Sequence, residues 1–227
     1  MTDDGPGPGP GPSWAALPEC WRSSFEEAWT SWASGSAGVG AVVTDGDGAI
    51  VCRGRNRVLD VPDGRTPLAG TYMAHAEMNA LACLPVGDYT GYTIYSTFEP
   101  CLMCAGTIRL YGVPHIAYAA GDPVWDGLHE VFAGVPAVAR RLATRSHLGG
   151  PFGAFAHVLH LSWLAGRAPP PVTAAHALLA PGHVRTATRL NESGELRALA
   201  DNGGTVVEAA AAVWSGVVAL AGEPEPS

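Results

Sequence analysis

The chain has 227 residues, enough for one large domain or one domain with appendages. It is 47% hydrophobic and can bury a core, yet no apolar stretch reaches the ~20 residues of a membrane span, and no basic segment leads into an apolar run as in a secretory signal. All 13 of its basic residues are arginine and stand against 21 acidic ones, a net charge of −8, which disfavours the broad basic face that phosphate contacts demand of a nucleic-acid binder.

In chain order, residues 1–13 read as a flexible tail, because the Gly-Pro run Gly5 to Pro12 is short and lacks the collagen triplet period. Pro18 to Ser34 reads as a helix whose Trp21, Phe25, Trp29 and Trp32 form a core-facing stripe. Val39 to Thr44 and Ala49 to Arg53 read as strands, with the hairpin signal Asp45-Gly46-Asp47-Gly48 between them. Met73 to Leu84 reads as a helix ended by Pro85. Thr93 to Thr97 is a strand, rich in β-branched and aromatic residues. Pro100 suits the first position of the next helix. His115 to Ala120 is a further strand, followed by the loop Gly121 to Gly127. Arg140, Arg141 and Arg145 read as the solvated face of a helix rather than an anion patch.

The main domain is expected over 14–148, and 149–227 as a mostly helical extension that packs on the sheet, covers the site or builds a dimer interface. Pro169-Pro170-Pro171 reads there as a linker, Pro181-Gly182 as a turn, and Glu192 to Leu220 as a helical pattern broken at Asn202-Gly203-Gly204. The five histidines after residue 130, at 147, 157, 160, 176 and 183, show no metal-ligand spacing.

The chemistry concentrates in His75-Ala76-Glu77 and Pro100-Cys101-Leu102-Met103-Cys104. One imidazole and two thiols make three ligands for a catalytic zinc, which keeps its fourth position open. Borderline-soft Zn²⁺ suits this donor set better than Mg²⁺ or Ca²⁺. Cys101 and Cys104 share one face of the helix's first turn, where the dipole favours thiolate. Glu77 is then free to shuttle protons. His75 and Glu77 stand roughly 200° apart on an ideal helix, so both reach one metal only if they sit at the helix start. A lone Cys-x-x-Cys also serves structural zinc or redox sites, but no second pair closes a four-ligand set here. Cys20, Cys52 and Cys83 read as small buried hydrophobes.

The pattern H-x-E…P-C-x-x-C marks zinc-dependent nucleobase deaminases. From about Val39 to Asp126 the chain resembles the cytidine deaminase-like superfamily, in the branch of tRNA adenosine, guanine and dCMP-type deaminases. Gly40-Ala41-Val42-Val43, Gly54-Arg55-Asn56, His75 to Leu81 and Thr97 to Gly106 carry the likeness. It implies a three-layer α/β/α sandwich around a mixed sheet of about five strands, and one zinc per chain. It also implies zinc-bound hydroxide attacking the amine-bearing ring carbon while Glu77 moves the protons. By the same resemblance Asn56 contacts the base and Ala76 lends a backbone contact near the reacting centre. The connection from Asn56 to His75 spans eighteen residues, Arg57 to Ala74. That is longer than in the tRNA-editing relatives, and its turn-rich part either shapes the pocket entrance or is a plain surface loop.

Trp125 and Asp126 are pocket-wall candidates, one for stacking and one for accepting from a ring N–H; their alternative is a packed Trp and a turn Asp. Tyr72 and Phe98 are further stacking candidates, with core packing the reading preferred for Phe98. His115 and His129 read as surface or satisfied core rather than as support for the metal ligands. The acidic, lysine-free chain points to a free nucleobase or nucleoside, guanine- or cytosine-type, rather than to nucleic acid or membrane. The rival readings are a tRNA-editing adenosine deaminase and a non-catalytic binding protein. Thiols kept as ligands point to the reducing cytoplasm, and a homodimer is expected.

Overall fold

The computed structural model describes residues 13–62, 64, 66–141, 143–165, 167 and 170–222. The Gly-Pro run, Asp63 and Arg65 of the long connection, and Pro169 lie outside the described residues. Helix α1 (Glu19–Ala33) buries the expected stripe Trp21, Phe25, Trp29 and Trp32. Strands β1 (Gly40–Thr44) and β2 (Ile50–Arg55) pair antiparallel. Their turn is set by Asp45, whose Oδ1 accepts from the N–H groups of Asp47 at 3.0 Å and Ala49 at 2.9 Å.

Helix α2 (Ala76–Leu81) is shorter than its sequence pattern. Strand β3 (Thr93–Phe98), helix α3 (Leu102–Tyr111) and strand β4 (His115–Ala120) follow. Two short helices, α4 (Leu128–Ala133) and α5 (Pro136–Ala139), lead into strand β5 (Thr144–His147). The sheet order is β2-β1-β3-β4-β5, antiparallel around β1 and parallel from β3 to β5.

Two glycines show why helices press on both faces. A Cβ at Gly40 would fall inside the backbone of α1, against Ser24 O and Ala28 N. A Cβ at Gly54 would fall inside α2, against Ala76 O and Ala80 N. Gly54 pairs with Ala41, the neighbour of Gly40, so the two glycines face opposite sides of the pleat. The result is the α/β/α sandwich with a five-stranded mixed sheet.

Five more helices follow: α6 (Gly150–Leu164), α7 (Pro170–Leu179), α8 (Pro181–Ser193), α9 (Glu195–Asp201) and α10 (Val206–Leu220). Helix α6 packs on β3, β4 and α1, and α8 and α10 pack on α6. One buried apolar cluster runs from Leu17 to Leu220, with Phe155 beside Phe25 at 5.9 Å between ring centroids. The chain breaks at Ala180 between α7 and α8, and Pro181 opens the second of these helices, so the turn expected at Pro181-Gly182 falls one residue earlier. No helix among the described residues is long and apolar enough to cross a membrane.

The expected helical face of arginines is not what forms. Arg145 lies on β5, where its guanidinium pairs with Glu99 and donates to the Tyr118 hydroxyl at 3.2 Å. Arg140 and Arg141 end the short α5 instead. The polar run Thr144 to His147 finds its backbone partners on the open edge of β4, a non-local pairing that outweighs local helical propensity. Cys83 is exposed rather than buried, whereas Cys52 is buried and Cys20 half-buried.

Candidate active site

Parallel strands β3 and β4 end side by side, tied by the Glu99 N–H donating to Ala120 O at 2.8 Å. In open α/β sheets ligands gather beyond such carboxyl ends. The chain leaving β3 turns at once into α3, with Cys101 as the extended residue capping the helix and Cys104 in its first turn. Pro100 therefore precedes the helix instead of opening it.

His75 caps α2 from an extended conformation, φ −67° and ψ 158°. Asn79 pins the approach, donating from Nδ2 to Arg55 O at 2.9 Å and to Ala74 O at 3.2 Å. Because His75 is not helical, the 200° separation from Glu77 does not apply, and both side chains enter the same site.

The Sγ atoms of Cys101 and Cys104 each lie 3.6 Å from His75 Nδ1. Zinc bonds of ~2.3 Å to sulfur and ~2.05 Å to nitrogen, opened to a tetrahedral angle, place S and N about 3.5 Å apart. All the donor atoms of the trio fall within 4.8 Å of one another. The donor set and its spacing fit one zinc ion.

Electrostatics agree. The hydrogen bond from Cys104, with further help from His75, draws the Cys101 thiol down to about 4. The same Cys101 contact, with burial and the nearby Glu77 charge, pushes Cys104 up. Burial alone would lower the His75 pKa, but the Cys101 contact and the Glu77 charge leave it raised. Three groups compete for positive charge, and a divalent cation among them would hold both sulfurs as thiolates.

Glu77 is 3% exposed, and burial pushes its carboxyl up, as a proton-carrying acid requires. The Ser96 hydroxyl donates to Glu77 Oε1 at 2.9 Å and fixes its rotamer.

A cavity of about 430 Å³ opens over His75, Ala76, Glu77 and Cys101. Its walls include Asn56, Tyr72, Phe98, Asp122 and Trp125, and, from the last third of the chain, His160, Trp163, Val172 and His176. No arginine lines it among the described residues, and the chain has no lysine.

Asn56 is buried, and its Oδ1 accepts from Val58 N–H at 3.1 Å. Ala76 is fully buried, and Trp125 stands half-buried at the end of a single 3₁₀ turn, Pro123–Trp125. Tyr72, 91% exposed, sits at the rim. Asp126 is not brought into this cavity. It is exposed and borders a neighbouring cleft with Glu99, Tyr118, Arg145 and His147, because the 3₁₀ turn points successive residues to different sides.

His115 is exposed at the far end of β4, and His129 borders a separate small cleft with Arg109 and Phe132. The long connection contributes Val58 and Tyr72 to the cavity. Its ends are tied by Arg57 N–H donating to Ala74 O at 2.8 Å, and Asp60 pairs with Arg55 at 2.6 Å.

Four of the five late histidines gather beside Phe98. His157 Nε2 and His176 Nδ1 lie 3.2 Å apart, and His176 Nε2 lies 3.8 Å from Asp122 Oδ1. His160 packs on Phe98 at 4.4 Å between rings, and His183 on His157 at 4.7 Å. Burial pushes Asp122 up to about 7 and draws His176 down to about 4. The only sequence signal was that His157 and His160 share a helix face at i, i+3.

An open mixed sheet layered by helices thus carries a His-Cys-Cys trio facing a buried glutamate. Residues 18–120 match the family model described as the cytidine and deoxycytidylate deaminase zinc-binding region. A tRNA-specific adenosine deaminase of Bacillus subtilis is 34% identical over 106 residues, 45% of this chain and 60% of that protein. A cytosine deaminase of Candida albicans is 29% identical over 96 residues, 41% of this chain and 59% of that protein. The chain thus spans about three fifths of the length of these two relatives. A solved guanine deaminase from Nitrosomonas europaea aligns over 65% of this chain and 91% of its own, at 20% identity and a TM-score of 0.43.

Proposed function

We propose that this protein hydrolytically deaminates a free nucleobase or nucleoside of cytosine or guanine type, releasing ammonia. The observation that carries the reading is the cavity wall: aromatic and apolar, roofed by α6 and α7, and without a cation among the described residues. A phosphate inside it would meet Glu77, Glu99 and Asp122 and no guanidinium. Arg55 and Arg57, on the strand and connection beside it, are held by Asp60 at 2.6 and 3.5 Å. These features disfavour nucleotides and tRNA, although the curated relatives include tRNA deaminases.

His75, Cys101 and Cys104 would hold the zinc. When bound, it acidifies a coordinated water towards pKa ~7 and so supplies the nucleophile. Glu77 takes one proton from the attacking water and gives it to the ring nitrogen, then takes the second from the hydroxyl so formed and gives it to the amine, which leaves as ammonia while the ring carbon becomes a carbonyl. Its buried site keeps this proton off bulk water, and Ser96 holds the carboxyl still. Asn56 binds the base with its Nδ2 end, since Oδ1 is committed to Val58. Phe98, Trp125 and Tyr72 supply apolar and stacking surface, and Ala76 a backbone contact. Free thiols suit a reducing cytoplasm. The homodimer stays part of the proposal, tested by light scattering.

An ammonia-release screen over bases, nucleosides, nucleotides and tRNA tests the reading. Turnover should be confined to bases or nucleosides. Glu77→Gln should lose about 10²- to 10⁴-fold in rate while its zinc content and melting curve hold. Turnover of tRNA alone would overturn the substrate class, and a fully active Glu77→Gln would remove the residue from its role.

A further inference from the structure

The cavity contains a hydrogen-bonding group that neither zinc binding nor proton transfer uses. His160 reaches it from α6, with its ring against Phe98 and near-parallel to Trp163 at 6.5 Å. His160 Nδ1 is buried without a hydrogen-bond partner. Nε2 is thus the nitrogen that meets the cavity. The other imidazoles there are occupied: His75 by the thiols, His176 by His157 and Asp122. Burial draws His160 down to about 3, so it is neutral at physiological pH and carries one N–H. That proton is better placed on Nε2, where a ligand can accept it, than on a nitrogen with nothing to bond.

The remaining polar side chains of the wall are mostly carboxylates, which repel a carbonyl oxygen. We propose that His160 is a specificity-determining residue: its Nε2–H donates to the ring oxo group of an amino-oxo base, selecting cytosine- or guanine-type rings over adenine-type ones. This rests on the free-base reading above and names what the last third of the chain adds to it. Leaving the buried donor unmet penalises a ring without the oxo group.

Binding to zinc-loaded Glu77→Gln protein, which holds substrate without turning it over, provides the test by calorimetry. Two matched pairs are compared: cytosine with 4-aminopyrimidine, and guanine with 2-aminopurine. In at least one pair the oxo-bearing ring should bind about 10-fold tighter or more. Adding His160→Phe should abolish that difference at unchanged zinc content, and adding His160→Gln, which keeps a donor, should restore part of it. Equal binding within both pairs, or a preference that survives His160→Phe, overturns the proposal; the first arm needs no variant at position 160. If neither these bases nor their ribosides bind, the free base or nucleoside reading fails and takes this inference with it; if only the ribosides bind, the same pairs are compared as ribosides with the same two outcomes.

Discussion

Asn56 closes a local turn and lines the cavity at once. Its Oδ1 closes the turn to Val58, and its side chain still lines the cavity with His75 and Glu77. One amide does both because its two ends bond independently. Asn56→Ala should therefore weaken base binding about 10-fold and cost ~1 kcal/mol of stability through the unmet Val58 N–H, with zinc content unchanged. Calorimetry and a urea melt read the two effects separately; a stability loss with intact binding would leave Asn56 only its turn. At this scale the metal trio and Glu77 were legible, since residue type and spacing alone carry the ligand chemistry. His160 and His176 were not, because nothing local to α6 or α7 announces a cavity.

Elements decide where those side chains point. The helix expected from Met73 begins only at Ala76, and this displacement lets His75 and Glu77 meet. The close seat of α2 on β2 depends on Gly54, where any Cβ meets helix backbone that cannot yield. Gly54→Ala should destabilise the protein by about 2 kcal/mol or more. It should also weaken zinc retention, because the helix it displaces carries His75. Thermal melts paired with a chelator competition would show this; a stable variant with normal zinc retention would refute the link. Strand β5 escaped the sequence reading because its four residues are all exposed and hold their place through pairing with β4 and the contacts of Arg145 with Glu99 and Tyr118.

The whole molecule unites the residues expected as an extension with the rest. Phe155, Val158 and Leu159 of α6 are each 1% exposed and share the core with Phe25. Burying three such side chains contributes ~2 kcal/mol each, a large part of a total of ~5–15 kcal/mol. A chain cut after Leu148 should show no cooperative unfolding transition and less than one zinc per chain. A cooperative melt with stoichiometric zinc would instead make the last third a dispensable appendage.

The histidine cluster adds an acid sensitivity. His157, His160 and His176 have folded pKa values lowered by burial from 6.5. As pH falls below 6.5 the unfolded chain takes up these protons first, so stability declines from there through about 4, where His176 titrates. Urea midpoints measured across that window should fall, and His160→Phe should flatten the decline; identical slopes would contradict it.

The sequence by itself marked out the His-Cys-Cys trio that could hold a metal, the glutamate beside it, the hairpin and the alternation of strand and helix. Each of these depends on residues close in the chain, whose spacing and periodicity leave a local trace. Only the tertiary structure decided that α6 belongs to the core, that Asp126 turns away, and that His160 and His176 face the zinc ligands. Those outcomes follow from burying apolar surface between distant segments, a force that is non-directional and writes no motif.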